Sequence, residues 1–489
     1  MNKKHFQKTE HAGICRLVDC SSAPVRIIGN EAILQTVEAE ALRQANNIAT
    51  LLPGVTDVTL TPDAHVGYGC PVGCVVPSQT HVYPGLVGVD VGCSVSLLQI
   101  DLDAKELKSI EVRKRLIEEI EKRVSATDGA NGAPLRREFG YDDLRYALTC
   151  GMGPFVAERF GFDKSYLTRF DCDFKSCDDK RVAALEKRLD EFLPNRGGLQ
   201  YHADQLGSYG GGNHFGECQR ISIVPEKKEI AEAFGLVDGR VGFMSHCGSR
   251  GFGARIARQA QNRLIQKFEK WDIPFPTGDR NLVYAPLDSQ EAEEYYDDMT
   301  LASTYAALNH AVINSLIAEA FQAVFPGVES SLTYCISHNN ARYEVLDGRV
   351  MLVCRKGATR AYPARHFALK GSPFYETGHP ILLPGDPIGG SSVMVAEPGA
   401  EKSRYSVNHG SGRALSRGCA KLRLQQEYVD SFFLEADVVT NQKNYPVDEA
   451  PDAYKNFDDV LQSVVEAGLA SEVARLKALF VLKDASERF

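Results

Sequence analysis

Histidines flanked by glycine or asparagine recur at five widely separated places in this chain of 489 residues. They are His65 in PDAHVGYG, His214 in YGGGNHFGE, His246 in SHCGSRG, His338 in ISHNNA and His409 in NHGSGR. Glycine permits unusual backbone dihedrals and the close approach of a ligand, and each of these segments is predicted to be a loop. Five such settings in one chain favour a shared site over chance packing.

Short glycine-broken β-rich segments alternate with amphipathic helices along the chain. Helical periodicity covers residues 31–52, 101–124, 252–271 and 291–325, whereas residues 55–76, 85–100 and 331–396 favour strands. Residues 125–200 are polar and mixed, and we predict that they form a peripheral insertion with a charged helix near 180–193. Residues 456–479 are predicted to be helical. With no repeat and no linker, the pattern predicts an α+β fold in one domain over residues 1–489, with function on loops at strand ends.

The composition is that of a globular enzyme, and several features of the sequence indicate its cellular compartment. The formal net charge of -9 argues against nonspecific coating of nucleic acid, although it is compatible with a local basic groove. The N-terminal segment lacks the apolar region of a signal peptide, and no run approaches the roughly 18 apolar residues of a membrane span. Thirteen cysteines without framework spacing indicate reduced thiols. We therefore expect a cytoplasmic protein.

A metal site is predicted from residues that precede or end the strand segments. Asp90 and Cys93 lie three residues apart in GVDVGCS, where a carboxylate and a thiolate could grip a divalent ion. The spacing alone is more typical of a turn aspartate and a buried cysteine. Together with His214, His246 and His338, however, these residues offer one oxygen, one sulfur and three nitrogen ligands. Such a mixture suits Mn, Fe, Co or Zn and is poor for Mg or Ca, and five ligands suggest two ions with open positions.

Phosphate-binding features accompany these ligands. The loop SYGGGN could direct backbone N–H groups at an anion, and Arg250 and Lys356 lie in the glycine-containing segments HCGSRG and CRKGATR. Runs of this kind are also common in solvated turns. The basic side of the helix after residue 250, with Arg255, Arg258, Arg263 and Lys267, could contact RNA or be an ordinary solvated face. A histidine beside a phosphate, as His409 would be, can be a metal ligand, a general base or a nucleophile.

Seven of these motifs occur in an order that resembles the RtcB family of RNA-splicing ligases. They are PDAHVGYGCPVG, GVDVGC, GGGNHFGE, HCGSRG, SHNNA, RKGATRAYP and NHGSGRALSR, and the match covers roughly residues 35–100 and 200–489. The resemblance implies one RtcB-like domain with mixed or antiparallel sheets and surrounding helices. It implies an enzyme that uses GTP and Mn²⁺ to join RNA ends carrying a 2′,3′-cyclic phosphate or 3′-phosphate to 5′-hydroxyl ends. No motif identifies an activator protein.

The resemblance also implies a role for individual residues. His409 matches the histidine that takes GMP covalently, and Asp63 matches the carboxylate that orients it. The implied ligands of two Mn²⁺ ions are Asp90, Cys93, His214, His246 and His338, with Cys93 bridging. Nucleotide-binding positions are matched by Asn213, Glu217, Asn339, Arg413 and Lys483, and phosphate or RNA contacts by Arg250 and Lys356.

Departures from the family pattern leave alternatives open. The loop PGDPIGGSS places Asp386 where the family usually has a serine beside the nucleotide phosphate, and His310 replaces a usual arginine. The expected function is ligation of tRNA or rRNA fragments in RNA repair or tRNA splicing. The alternatives are an enzyme that caps 3′-phosphate ends with GMP without sealing them, a metal-dependent phosphohydrolase, or a non-catalytic RNA-binding scaffold.

Overall fold

The computed structural model describes residues 6–17, 23–127, 140–153, 164–171 and 178–484. Its strands are β1 Phe6–Lys8, β2 Ile14–Leu17, β3 Val25–Ile28, β4 Val58–His65, β5 Val72–Ser78, β6 His81–Val82, β7 Ser94–Asp103, β8 Phe215–Ile223, β9 Arg240–Cys247, β10 Ala285–Pro286, β11 Ser330–Ser337, β12 Asn339–Leu346, β13 Arg349–Lys356, β14 Ala358–Arg360, β15 Pro380–Leu383, β16 Ser391–Ala396, β17 Ser406–Asn408, β18 Val439–Thr440 and β19 Ala470–Leu482. The helices are α1 Glu31–Thr36, α2 Ala39–Leu51, α3 Ile110–Glu121, α4 Tyr141–Cys150, α5 Lys164–Leu167, α6 Asp179–Phe192, α7 Arg196–Ala203, α8 Lys228–Ala233, α9 Arg250–Lys270, α10 Gln290–Val324, α11 Arg417–Arg423, α12 Gln426–Glu435 and α13 Phe457–Glu466.

An eight-stranded sheet forms the centre of the fold. Its order is β11-β7-β9-β8-β19-β16-β15, with β18 added in parallel beside β19. The other pairs in this sheet are antiparallel. The last strand of the described chain, β19, therefore lies inside the sheet, between β8 and β16. Because β19 contributes buried residues such as Val473, Leu476 and Phe480, it is a core element.

A second sheet holds seven strands in the order β1-β2-β3-β4-β5-β13-β12. Only β3 and β4 run parallel in it. The two sheets meet at His338, the single residue between β11 of the first sheet and β12 of the second. The prediction of an α+β fold with mixed and antiparallel sheets is confirmed.

The long helix α10 is the central helix of the helical layer. It has 35 residues, and most of its side chains are buried. Helices α3, α4, α6 and α9 all contact it, and apolar residues of α4 and α6 belong to the same hydrophobic cluster as those of α10. The described helices of the segment predicted as a peripheral insertion thus pack on the core, while residues 128–139, 154–163 and 172–177 of that segment lie outside the described part. Its status as an insertion stays a prediction.

Two helix predictions need correction. The predicted helix over 456–479 is wrong beyond α13, because Gly468, at φ +70°, ends the helix in the manner of a C-terminal glycine. Residues 470–482 then form β19, since their backbone pairs with β8 on one side and with β16 on the other. The predicted helix over 31–52 is two helices, because Val37 turns to extended backbone and buries its side chain. Within the described residues, no helix combines the length and apolarity needed to cross a membrane.

Candidate active site

Four of the predicted metal ligands lie at one edge of the eight-stranded sheet. Cys93 immediately precedes β7, His214 precedes β8, His246 is near the end of β9, and His338 follows β11. These four strands are adjacent in the sheet. Because neighbouring strands run antiparallel, the end of one lies beside the beginning of the next. The topology therefore brings together residues that are up to 245 positions apart in the sequence.

The thiol of Cys93 is at the centre of this cluster. Its Sγ atom lies 3.5 Å from Nε2 of His214 and 3.3 Å from Nε2 of His246. The ligand atoms of these three residues are all within 4.8 Å of one another. On the outer side, Oδ2 of Asp90 is 3.1 Å from His214 Nε2. One sulfur, two nitrogens and a carboxylate oxygen thus converge on one small volume.

Backbone carbonyls fix the orientation of two of the imidazoles. Nδ1 of His214 is 2.9 Å from the carbonyl oxygen of Tyr209, and Nδ1 of His246 is 3.2 Å from that of Asn213. A carbonyl only accepts, so each Nδ1–H donates to it, and Nε2 is the ring nitrogen that faces Cys93. This carbonyl support is the usual outer shell of a metal-binding histidine.

The electrostatics of the cluster call for a positive ion. Burial, followed by the neighbouring imidazole of His214, holds the pKa of His246 well below its usual range, so this ring is neutral. Burial and the charge of Asp90 raise the pKa of the Cys93 thiol. His338 is buried, its ring centre is 5.1 Å from that of His246, and its Nδ1 has no hydrogen-bond partner among the described residues. Neutral imidazoles, an orphaned nitrogen and a thiol beside a carboxylate fit a divalent transition metal.

His409 and Asp63 form a second, fully paired unit beside this cluster. Nδ1 of His409 is 2.7 Å from Oδ2 of Asp63, and the two ring centres of His409 and His338 are 4.6 Å apart. Burial alone would raise the pKa of Asp63, but the hydrogen bond and charge of His409 outweigh it and hold that pKa below its usual value. An ionised carboxylate only accepts, so Nδ1–H of His409 donates to it, and Nε2 is the ring nitrogen left for another partner.

Asp63 is itself held from several directions. It lies where the pairing of β4 with β5 shifts register, so the ladder does not dictate its orientation. Thr61 Oγ1 donates to its second oxygen at 2.5 Å, and the Lys455 ammonium donates to the carbonyls of the flanking residues 62 and 64 at 3.0 and 2.7 Å. A side chain on Gly412, at φ +74°, would place its Cβ 2.1 Å from the Asp63 carbonyl oxygen. Sequence reasoning missed Lys455, because nothing in AYKNF distinguishes it from a surface lysine.

A pocket next to His409 gathers three of the predicted nucleotide-binding residues. Asn213, Glu217 and Lys483 line it together with His409. Glu217 is buried, and its Oε1 accepts from Gln219 Nε2 at 2.6 Å. Burial raises the pKa of Glu217 to about 8, and the charge of Asp386 adds to the effect. Lys483, a cation in the same pocket, is paired with Glu449.

Lys483 and Arg413 are joined through a carboxylate that sequence reasoning did not single out. Glu449, which also lines the pocket, accepts from Lys483 Nζ at 2.7 Å and from Arg413 Nη1 at 3.2 Å. Arg417 and Tyr454 reach the same carboxylate at 2.9 and 2.6 Å. Glu449 can be recognised as the centre of this network only from its tertiary contacts, because its segment VDEAPD contains no motif.

The remaining predicted residues lie around the cluster and contact the protein. Arg250 begins α9, donates to the Tyr209 carbonyl, and has Nη1 3.5 Å from His214 Nδ1. The side chain of Asn339 donates to the carbonyl of residue 90 at 3.0 Å and accepts from the backbone of residue 357 at 2.9 Å. Lys356 donates its ammonium to the carbonyls of residues 68 and 70.

Asp386 and His310, the two departures from the family pattern, each form hydrogen bonds with nearby groups. Asp386 lines the pocket, but its Oδ1 accepts from the backbone N–H groups of Ile388 and Gly389 at 3.0 and 2.8 Å, so the carboxylate caps its own loop. His310 is buried in α10, with Nδ1 2.9 Å from Ser96 Oγ and Nε2 3.1 Å from the Ser94 carbonyl. Neither residue displaces a member of the metal cluster.

The combination defines a class of site. An imidazole whose Nδ1 is bound to a carboxylate lies beside a candidate metal site and a pocket lined by buried carboxyl groups. Such an arrangement suits transfer of a phosphorus-centred group to nitrogen, with cations stabilising the charge on phosphorus.

Comparison with known proteins identifies the family. The family model described as tRNA-splicing ligase RtcB matches residues 44–484. The tRNA-splicing ligase RtcB of Archaeoglobus fulgidus is 34% identical over 468 residues, covering 92% of each chain. The protein of that name from Nanoarchaeum equitans is 33% identical over 486 residues, covering 94% of this chain and 95% of the relative. The RNA-splicing ligase RtcB of Mycobacterium tuberculosis is 33% identical over 457 residues, covering 90% of this chain and 100% of the relative. This chain belongs to the RtcB family, and it is an enzyme, an RNA ligase.

Proposed function

We propose that this ligase joins RNA ends bearing a 2′,3′-cyclic phosphate or 3′-phosphate to 5′-hydroxyl ends, using GTP and two Mn²⁺ ions through a covalent histidine–GMP intermediate. The observation that carries the proposal is the pair formed by His409 and Asp63 at 2.7 Å, because it leaves Nε2 of a pocket-lining histidine free to react. The substrates would be tRNA or rRNA fragments, in cytoplasmic RNA repair or tRNA splicing, in keeping with the names of the relatives.

In the first step, Nε2 of His409 attacks the α-phosphorus of GTP. The new P–N bond replaces the bond from the α-phosphorus to its bridging oxygen, and pyrophosphate leaves. The ring becomes positively charged as this happens, and the Asp63 carboxylate stabilises it through Nδ1–H. Because Thr61 and Lys455 already hold Asp63 in place, little reorganisation is needed.

The metal would be held by Asp90, Cys93, His214, His246 and His338, for the reasons of ligand chemistry given above. When bound, Mn²⁺ supplies positive charge beside the transferring phosphoryl group.

Guanine recognition is assigned to the pocket. The N1–H and 2-amino groups of guanine are donors that a buried carboxylate such as Glu217 can accept, and adenine does not offer this pair. The raised pKa of Glu217, caused by burial, is that of a carboxyl without a compensating partner, and these two donors would stabilise its ionised form. Asn213 and Lys483 line the same pocket and add further polar contacts.

Two transfers complete the reaction. An oxygen of the RNA 3′-phosphate attacks the phosphorus on His409, the P–N bond breaks, and a 3′-diphosphate linkage to guanosine forms. The 5′-hydroxyl of the second RNA then attacks the 3′-phosphorus, a 3′,5′-phosphodiester forms and GMP leaves. A cyclic phosphate is first opened by water to a 3′-phosphate. If the 5′-hydroxyl did not react, the product would be a capped end, so product analysis separates ligation from capping and from simple hydrolysis.

The test is intact mass after incubation with GTP and Mn²⁺, beside a His409→Ala variant. We expect the wild-type protein to gain the mass of one GMP and the variant to gain none, with both proteins binding the same amount of Mn²⁺. A wild-type protein that binds Mn²⁺ but gains no mass would overturn the guanylylation mechanism. Separation of labelled RNA products on a gel then distinguishes joined, capped and hydrolysed ends.

A further inference from the structure

Tyr68 is the most exposed large aromatic residue in the described part of the chain. Its exposed fraction is 84%, and no other aromatic side chain there exceeds 53%. A single exposed apolar side chain on a mobile loop would need no explanation. The surroundings of Tyr68 are different, because its backbone is tightly bound while its ring projects into solvent.

The turn that carries Tyr68 is fixed by two side chains from distant parts of the sequence. Gln44 donates its amide to the Gly67 carbonyl at 2.6 Å and accepts from the Gly67 N–H at 3.3 Å. The Lys356 ammonium donates to the carbonyl of Tyr68 itself at 2.9 Å and to that of Cys70 at 3.2 Å. A ring on so rigid a base loses little conformational entropy when a ligand stacks on it.

The same turn lies at the edge of the active site. It connects β4, which carries Asp63, to β5, which begins at Val72. A Cβ atom on Gly357 would lie 2.4 Å from Val72 Cγ1 and 3.0 Å from Cε1 of His409. The chain therefore passes within four residues from the exposed ring to Val72, which shares Gly357 as a neighbour with His409.

Exposed positive charge lies along the neighbouring helix α9. Arg263 on this helix is bound to the buried carboxylate of Asp298, so it is a structural residue. Arg255 and Arg258 are exposed, and neither forms an ion pair with another residue that the structure describes. They are three residues apart and share one face of the helix.

This basic face adjoins the turn. Gln261, one turn beyond Arg258, donates to Asn281 Oδ1 at 2.9 Å. A Cβ atom on Gly69 would lie 2.6 Å from Asn281 Cβ, so residues 261, 281 and 69 form a continuous line of contacts. The helix that carries the two guanidinium groups is thus linked by contacts to the turn that carries the aromatic ring.

We propose that Tyr68 is a stacking platform for an unpaired base near the reacting end of the RNA, and that Arg255 and Arg258 bind the phosphates of the same strand. The proposal rests on the proposed function and adds the path by which single-stranded RNA reaches the site. An exposed ring accepts any base, and a guanidinium group binds phosphate in any sequence, so the pair suits a ligase that meets ends of many sequences. In a chain of net charge -9, such a local basic face is selective for nucleic acid.

The experiment compares wild type with Tyr68→Ala, Tyr68→Phe and the control Tyr146→Ala, which removes an exposed tyrosine of α4. Binding of a single-stranded RNA with a 3′-phosphate is measured by fluorescence anisotropy, and the KM for RNA is measured in the joining reaction. We expect Tyr68→Ala to weaken RNA binding and raise this KM about tenfold. Tyr68→Phe should retain nearly all binding, and Tyr146→Ala should match wild type.

A second RNA with abasic sites at its last nucleotides isolates the stacking contact. On this RNA we expect wild type to lose about the same factor of ten, and Tyr68→Ala to lose nothing further, because both changes remove one contact. Arg258→Ala should weaken binding of both RNAs equally and reduce the salt dependence by about one phosphate contact.

Three results would overturn the proposal: equal RNA binding by Tyr68→Ala and wild type, additive losses for Tyr68→Ala and the abasic RNA, or a loss by Tyr68→Ala of guanylylation from GTP alone, which would mark a structural role. If wild type itself forms no GMP adduct, the proposed function fails, while the binding comparison still decides the role of Tyr68.

Discussion

Two pairs of buried groups in the active site differ in how their charges are balanced. On the paired side, Asp63 is paired with His409 and Glu449 with Lys483, and the pKa of each carboxyl is lowered because these partners outweigh the effect of burial. On the unpaired side, burial raises the pKa of both Cys93 and Glu217. Partners from the protein outweigh burial at the first two groups, whereas burial dominates at the second two.

This difference bears on which ligands the two pairs of groups would bind. A paired side is ready before any substrate arrives, so the nucleophile needs no ligand for its orientation. On the unpaired side, ionising a buried group costs free energy, and a bound cation or a hydrogen-bond donor reduces that cost. A metal ion beside Cys93 and a guanine beside Glu217 would each meet that need. The next three changes test this division.

The largest effect is expected from Cys93→Ala on the unpaired side. Loss of the central thiolate should lower Mn²⁺ affinity by more than about 100-fold and bring ligation below detection. Isothermal titration with Mn²⁺ and the Mn²⁺-dependent rise in Tm measure the effect. Cys15→Ala, which removes a buried thiol far from the site in β2, is the control and should behave as wild type. Full Mn²⁺ binding by the Cys93 variant would contradict the metal assignment.

A smaller effect is expected from Asp63→Asn on the paired side. The asparagine keeps the size of the side chain but removes the charge that stabilises the reacting ring, so GMP transfer to His409 should slow by about 10³-fold to 10⁴-fold. Mn²⁺ binding should not change, because Asp63 contacts His409 and Thr61 and not the metal cluster. Single-turnover mass spectrometry gives the rate. A variant that loses Mn²⁺ along with its rate would show that the two sides are not separable.

The smallest effect is a pH-dependent change in stability from Glu217→Gln. Below pH 4.5 this carboxyl is protonated in both folded and unfolded chains, so it contributes no pH dependence. As pH rises toward 8 the unfolded chain ionises first, and the folded protein loses stability. The glutamine variant without ligands should therefore be more stable than wild type, by at most about 3 kcal/mol at pH 7.

Urea unfolding between pH 4.5 and 8 measures this difference, with the exposed Glu329→Gln as control. The gain should grow with pH and shrink when guanine nucleotide is added to wild type. A gain that is independent of pH would contradict the raised pKa.

The sequence predicts the candidate metal-binding and reactive residues because they lie in motifs that combine histidine or cysteine with glycine. The grouping of Cys93, His214 and His246 was of this kind, whereas the pairing of His409 with Asp63 was expected from the resemblance to the RtcB family. Lys455 and Glu449 could not be found in that way. Each acts through contacts with residues far away in the sequence, and its local segment has no distinguishing feature.

The main error in the fold has a similar origin. Residues 470–482 contain alanine, glutamate, lysine and leucine, which favour a helix when taken alone. Their position between β8 and β16 overrides that preference, because the backbone of the strand is paired on both sides and most of its side chains become buried. Local propensity carries no information about such partners.

The central position of β19 has a consequence for the synthesis of the protein. The segment that the ribosome makes last among the described elements is inserted between strands made long before, and Lys483 at its end closes the pocket. A nascent chain that lacks this segment has two open strand edges and no complete pocket. Truncated products would therefore be prone to aggregation through these edges.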